Sequence, residues 1–303
     1  MRGLGELAVV SGLSPVVVDL FGVLTRLGDP WLLLGALALL YAVADRLALD
    51  RRRVGLVFAA AFLALGVTLA LKAAFALPRP PGAAAEGYGF PSGHALGTTV
   101  VWGTAAVVLD VGRRRLWTAV AAAVVLLVAA SRVVIGVHYL VDVVVGVGVG
   151  LAVVGVALAV GVGRLPRLTR STRQGVGGVA VERVSHADVD RVFALAAGVG
   201  LVALLLRASP DTLLTAGAAL GGWSGWRVAE PTVDVDTHRS SVPLSGTAVS
   251  VAGLPLVLGG LLTADVIAEA AATPGLLTMG VAGVFVALLF ALPRLAVRVV
   301  GSV

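Results

Sequence analysis

The chain contains no cysteine and few charged residues. Its 303 residues include 0 Cys and 13% charged side chains against 58% hydrophobic ones, and the mean hydropathy is +1.01. Without cysteine there can be no disulfide framework, thiol nucleophile or cysteine metal site. The low charge excludes an ordinary soluble domain, in which about a quarter of residues are charged. The high hydrophobicity excludes a disordered chain, so the composition indicates a membrane protein.

Lysine is almost absent as well. Of the 23 basic residues the only lysine is Lys72, and the rest are arginine. A net charge of +6 with a pI near 10.9 can signal nucleic-acid binding. Here the arginines stand in short clusters between apolar runs, as orientation in a bilayer predicts. We therefore expect membrane lipid, and no nucleic acid, as the partner of this charge.

Ten apolar segments are present, and a membrane span needs about 20 apolar residues. We therefore predict an all-α fold, a multi-pass membrane helical bundle of about ten spans. The first segment contains Pro15 and Asp19, so it could lie flat in the interface instead. The ten segments cover residues 7–24, 31–44, 54–71, 95–109, 116–130, 138–162, 192–206, 213–226, 244–262 and 275–293.

The arginine clusters fall on one side of the membrane if every apolar segment crosses once. By the positive-inside rule that side is the cytoplasm. Residues 72–94 and 131–138, which hold most of the unusual polar side chains, then both face outside. The clusters comprise residues 51–53 and 113–115, Arg164, Arg167, Arg170, Arg173, Arg227, Arg239, Arg294 and Arg298.

A polar linker, residues 164–190, divides the chain into a six-span domain, 1–163, and a four-span domain, 191–303. The second domain could form a substrate groove, make a dimer contact or add stability, and a homo-oligomer remains open. Its glycines Gly217, Gly221 and Gly225 recur every four residues. This spacing is typical of close helix packing, and we favour packing within the chain over packing between protomers.

Three motifs, KAAFALPRP, PSGH and SRVVIGVHYLVD, carry polar residues at predicted outer span ends. Lys72, Arg79 and Arg132 are three cations on one membrane face, and guanidinium and ammonium groups bind phosphate oxygens. Ser92 offers a hydroxyl donor. Gly93 permits close backbone approach and, at a helix start, donates its N–H to an anion. The sequence therefore predicts an anion site.

His138 and Asp142 are spaced i, i+4 and share one helix face. The carboxylate can orient the imidazole ring, as in hydrolase triads, so His138 is a candidate nucleophile and His94 a candidate general acid. A carboxylate inside an apolar span costs roughly 2.5–3.5 kcal/mol, so Asp142 needs a partner, and His138 is the nearest. Taken singly, Lys72 and Arg79 could be anchors that end a span.

Together, in this order and spacing, the motifs resemble the signature of the type-2 phosphatidic acid phosphatase (lipid phosphate phosphatase) superfamily, which also includes soluble acid phosphatases and vanadium haloperoxidases. The resemblance covers about residues 7–162. It implies a six-span bundle with an outward-facing site, a phosphohistidine on His138 relayed by Asp142, leaving-group protonation by His94, and no metal or other cofactor. It further implies that the phosphoryl oxygens are bound by Lys72, Arg79, Ser92, Gly93 and Arg132.

We therefore expect a multi-pass cell-membrane phosphatase that hydrolyses a lipid phosphate or isoprenoid (prenyl) diphosphate at the outer leaflet. A phosphotransferase that passes the phosphoryl or head group to an acceptor alcohol remains open. A transporter fits less well, because transporter sites lie near the membrane midplane and these groups lie at span ends. Asp234, Asp236 and His238 could suggest a metal site, but we favour a solvated cytoplasmic loop.

Overall fold

The computed structural model describes residues 10–109, 111–162, 184–229 and 274–301, with 3, 251 and 259 as isolated positions. In these ranges the chain forms α-helices, two short 3₁₀ helices (Thr25–Gly28 and Ala44–Leu47) and no strand, which confirms the predicted all-α class. The α-helices are α1 (Pro15–Leu24), α2 (Pro30–Val43), α3 (Arg51–Phe75), α4 (Gly93–Val108), α5 (Arg114–Val134), α6 (Leu140–Val162), α7 (His186–Leu206), α8 (Pro210–Val228) and α9 (Pro274–Gly301).

Helix α3 is the central helix of the bundle. It begins after Asp50, whose side chain accepts a hydrogen bond of 2.8 Å from the Arg52 amide, and ends at Ala76, which adopts a left-handed φ of 48°. Its 25 residues extend about 37 Å, and most of its apolar surface is buried against α4, α7 and α8. The last turn of α3 carries Lys72 to the end of the bundle where the polar motifs lie.

Two of the predicted arginine clusters lie together at the opposite end of the bundle. Arg53 Nη1 donates to the Val108 carbonyl at the end of α4 over 2.9 Å, and Arg114 Nη2 donates to the Val107 carbonyl over 3.3 Å. Carbonyls at a helix C-terminus carry partial negative charge, so these arginines cap α4 favourably. The bundle therefore has one arginine-rich end and one end that carries Lys72.

Six helices are long and apolar enough to cross a membrane, and they coincide with six of the ten predicted spans. The predicted segments 95–109 and 213–226 lie in α4 and α8, which are not among these six. Of segment 7–24 the structure describes residues 10–24, in which α1 is a helix of ten residues. Of segment 244–262 it describes only residues 251 and 259. The count of ten is thus not confirmed. The six helices are Pro30–Leu47, Arg51–Phe75, Arg114–Val134, Leu140–Gly161, His186–Leu206 and Gly275–Leu292.

The C-terminal helices share one hydrophobic core with the N-terminal ones. Phe290 of α9 makes edge contacts with Phe58 of α3, at 5.3 Å between ring centroids, and with Phe193 of α7, at 5.2 Å. Trp226 at the end of α8 packs 6.0 Å from the same ring. The apolar core therefore crosses the predicted boundary at 164–190.

Helix α7 begins at His186, inside the predicted linker. Ser185 accepts from the Asp188 amide, and the Asp188 carboxylate accepts from the Ser185 amide, so the two residues form a capping box. A capping box satisfies two orphan donors of the first helical turn. This local chemistry starts the helix six residues before the predicted apolar segment at residue 192.

The three regularly spaced glycines of α8 pack within the chain, as favoured from the sequence. A Cβ at Gly217, Gly221 or Gly225 would collide with the backbone of α9 at Met279, Gly283 and Ala287, respectively. The residue numbers of the contacting positions increase along both helices, so α8 and α9 run parallel. The first residues of α8 and α9 therefore lie at the same end of the bundle.

Candidate active site

His138 lies in the short connection between α5 and α6. Its amide donates to the Arg132 carbonyl over 3.2 Å, and its side chain is almost fully buried. Gly136 adopts a φ of 72° in the preceding turn, a conformation that glycine adopts without strain. The end of α5 therefore fixes the position of the imidazole.

Asp142 lies behind the His138 ring in the first turn of α6. The carboxylate is fully buried, and its Oδ2 atom is 3.6 Å from His138 Nδ1. This distance is longer than a hydrogen bond, so the contact is electrostatic. The same oxygen accepts from the Tyr139 amide over 3.1 Å, which holds the carboxylate toward the ring.

Arg79 lies on the other side of the ring. Its Nη1 atom is 3.2 Å from His138 Nε2 and donates to the Val137 carbonyl over 3.1 Å, while Nε donates to the Glu86 carbonyl over 2.9 Å. A guanidinium group has no acceptor, so Nε2 accepts and the ring proton resides on Nδ1, facing Asp142. The lone pair of Nε2 is therefore directed toward a cation.

Arg132 is the second guanidinium at this end. It is only 8% exposed, and its Nη1 atom donates to Thr25 Oγ1 over 2.8 Å. Its Nε atom is buried and has no hydrogen-bond partner within the described residues. Thr25 follows α1 directly and was not singled out in the sequence, so the N-terminal part of the chain helps to position this cation.

The PSGH motif forms the start of α4. The Ser92 amide donates to the Asp142 carbonyl over 3.0 Å, while Ser92 Oγ is buried and finds no partner in the described part of the chain. Gly93 packs so tightly that a Cβ would lie 2.9 Å from Thr68 Cγ2. His94 follows in the first helical turn, where backbone N–H groups favour an anion.

Two glycines of α6 bring this motif close to His138. A Cβ at Gly146 would lie 2.7 Å from the Ser92 carbonyl oxygen, and one at Gly150 would lie 2.7 Å from Thr99 Cβ. Small residues of this kind let two helices approach closely. The contact between α4 and α6 therefore sets the position of the PSGH motif relative to His138 and Asp142.

The predicted site residues converge on one cavity of about 330 Å³. Ser92 and Asp142 do not line it; they lie behind its wall and are joined by the amide–carbonyl hydrogen bond described above. Six of the eight predicted residues line the cavity directly: Lys72, Arg79, Gly93, His94, Arg132 and His138.

Burial dominates the electrostatics of His138. It lowers the pKa of His138 to about 4, because the charged ring is poorly solvated; Asp142 opposes this shift, and Arg79 adds to it. Burial also lowers the pKa of Arg79, with Asp142 acting in the opposite direction. His138 is therefore neutral near pH 7, the form that a nucleophile requires.

Within the described ranges, no group of three or more His, Asp or Glu side chains is arranged to hold a metal ion. Asp234, Asp236 and His238, the predicted solvated loop, lie outside those ranges.

The cavity also has walls that the sequence did not reveal. Beyond the polar end it continues between α2, α3, α8 and α9, reaching Ala218, Val286 and Leu289. Apart from Asp211, the C-terminal residues that line it are apolar or threonine, so no charge or histidine distinguished them from ordinary core positions. Sequence reasoning therefore left the role of these helices open.

Comparison with known families gives a match for one part of the chain. The model of the PAP2 superfamily, whose members are phosphatases or related enzymes, matches residues 53–165. This segment contains all eight predicted site residues, although it begins well after residue 7, the predicted start of the resemblance. No curated protein and no solved structure matched the chain. Together with the six described helices that are long and apolar enough to span a membrane, this match points to a membrane protein of phosphatase type. The family matched over residues 53–165 is therefore the one that the three motifs predicted, which confirms the predicted resemblance.

Proposed function

We propose that the protein is an integral membrane phosphatase that hydrolyses a lipid phosphate or isoprenoid diphosphate through a phosphohistidine at His138. One observation carries this proposal. The Nε2 atom of the buried His138 ring is directed at Arg79, and the other ring nitrogen faces Asp142. A nucleophile oriented toward a group that binds phosphate is the arrangement that phosphoryl transfer needs.

In the first step the phosphoryl group binds among Lys72, Arg79 and Arg132, which line the same cavity. The three cations neutralise charge on the equatorial oxygens, the largest contribution to phosphoryl transfer. Nε2 of His138 forms a bond to phosphorus, and the bond from phosphorus to the leaving oxygen breaks. His94 donates a proton to that oxygen, so the alcohol leaves in neutral form.

In the second step water attacks the phosphorus of the phosphohistidine. His94 accepts the proton of the water, the N–P bond breaks, and phosphate and the neutral His138 ring are restored. Phosphorylation at Nε2 makes the ring cationic while its proton remains on Nδ1. Asp142, fully buried beside that nitrogen, stabilises the charge, as the carboxylate of a hydrolase triad does.

The arginine distribution supports an outer-leaflet site in the cell membrane. The clusters at 51–53 and 113–115 lie at the end of the bundle opposite the cavity's cations. The positive-inside rule assigns the arginine-rich end to the cytoplasm. A substrate in the outer leaflet would then present its phosphate to the cations and keep its tail in an apolar environment.

Phosphate release from defined substrates tests the proposal. The full-length protein in detergent, with EDTA, is offered phosphatidic acid and an isoprenoid diphosphate, beside His138→Ala and the matched control His186→Gln. We expect the wild type and the control to release phosphate and His138→Ala to lose activity at least a thousandfold. Unchanged turnover in His138→Ala would exclude the mechanism. Phosphate found on an added alcohol in place of water would instead identify a phosphotransferase.

A further inference from the structure

We propose, building on the function above, that α8 and α9 form the far wall of a groove for the hydrocarbon chain of the substrate. The C-terminal helices, which lie outside the matched family segment, would thus determine which chain lengths the enzyme accepts. The same cavity is lined by the cations and by Leu289 of α9. A phosphate ester bound at the cations must direct its organic part along this space.

The lining of α3 changes in character along its length. One face presents Phe58, Phe62, Leu65, Leu69 and Lys72 to the cavity, a stripe at helical spacing with its single charge at the site end. From the first to the last of these residues the helix rises about 21 Å. The groove is therefore polar at one end and apolar at the other, which is complementary to an amphiphile with an anionic head.

The C-terminal helices provide matching stripes on the opposite side. In α8 the lining residues start at Asp211, near Lys72, and continue through Leu214 to Ala218. In α9 the lining residues Ala282, Val286 and Leu289 also share one face. Since α8 and α9 run parallel and away from the site, each successive residue lies deeper in the groove.

The size of the cavity supports a ligand rather than a packing defect. Protein cores contain few voids larger than a water molecule, whereas ligand pockets occupy about 300–1,000 Å³. This cavity, at about 330 Å³, lies in the second class. Its deep end is bounded by Phe58 and Val286, both nearly fully buried, so no polar group there would favour water.

Substitutions on α9 test the groove with n-alkyl monophosphates from butyl to hexadecyl. We expect kcat/KM of the wild type to rise by up to about fourfold for each methylene that becomes buried. Ala282→Phe should stop this rise at a shorter chain, while Leu289→Ala should extend it to longer chains. Val284→Phe introduces the same ring on the same helix at a position that is 59% exposed, and it should behave as the wild type.

The outcomes separate the groove from the proposed function. Two outcomes would overturn the groove and leave the proposed phosphatase activity intact. In the first, alkyl monophosphates of every chain length are hydrolysed at one rate. In the second, Ala282→Phe and Val284→Phe show the same dependence on chain length and Leu289→Ala has no effect. A dodecyl phosphate with a terminal diazirine provides an assay that needs no turnover. Crosslinks on α8 or α9 that excess dodecyl phosphate prevents would support the groove even if hydrolysis failed, and crosslinks confined to other helices would overturn it.

Discussion

Arg79 connects the two loops that form the polar end of the cavity. It donates to the Glu86 carbonyl in its own loop and to the Val137 carbonyl in the loop of His138, and it contacts the His138 ring. Only a planar group with several donors can make these bonds at once. The residue thus has both a positioning role and, in our proposal, a role in binding the phosphoryl group.

Arg79→Lys should therefore lower kcat/KM about ten- to hundredfold, since hydrogen bonds to charged groups contribute about 1.5–3 kcal/mol each. Phosphate release by the purified variant measures the effect. Arg26→Lys changes an exposed arginine at the same end of the bundle and serves as the control, with activity like the wild type. Equal activities for both variants would contradict the assigned role of Arg79.

The ionisation of His138 can be measured directly. In detergent, a spectrum with ¹⁵N-labelled histidine should contain one ring, absent in His138→Gln, that stays neutral until the pH falls to about 4. The pKa of His138 in the folded protein lies below its ordinary value of 6.5. Below pH 6.5 the unfolded chain therefore binds a proton at this residue before the folded protein does. As a result, His138 makes folding less favourable as the pH falls through this range. Titration of the assigned ring near pH 6.5 would refute the burial argument.

At the scale of elements, the close contact of α4 with α6 holds the two halves of the site together. Gly146→Ala places a methyl group against the Ser92 carbonyl oxygen, so the helices must separate and shift His94 relative to His138. We expect at least a tenfold loss of phosphatase activity. Gly148→Ala, two residues further along α6, meets no atom within 4 Å and should leave activity unchanged. If the two variants had the same activity, the close approach would not control the site.

The polar motifs were predictable because a charge or histidine stands out in a chain with only 13% charged residues. Helical spacing placed His138 and Asp142 on one face, and the structure has them in contact. The hydrogen bond from Arg132 to Thr25 was not predictable, since the two residues are 107 positions apart and a single threonine carries no signal. The lining of α8 and α9 was hidden for another reason: an apolar residue in a groove looks like an apolar residue in a core.

At the scale of the whole molecule, the bundle has chemically distinct ends. The arginines of the clusters 51–53 and 113–115 lie at one end, and the cations of the cavity lie at the other. In a bilayer this polarity orients the chain, because basic loops remain in the cytoplasm. The proposed enzyme would then act on lipids of the outer leaflet.

The absence of cysteine makes this orientation testable with single introduced thiols. Ala84→Cys lies in an exposed part of the loop between α3 and α4, and Arg115→Cys lies exposed at the arginine-rich end. In cells with an intact cytoplasmic membrane, an impermeant maleimide should label Ala84→Cys only. Arg115→Cys should react after permeabilisation. The reverse pattern would place the candidate site in the cytoplasm and contradict the proposed leaflet.

The most direct measurement is the identification of the phosphorylated residue during turnover. The full-length protein is mixed with a lipid phosphate labelled with ³²P, quenched in alkali within milliseconds, and mapped by mass spectrometry. We predict an acid-labile, alkali-stable phosphoryl group on His138 that is absent in His138→Gln. Two results would contradict the claim that His138 is the nucleophile. The wild type would release phosphate while the label is found on another residue, or His138→Gln would release phosphate as fast as the wild type.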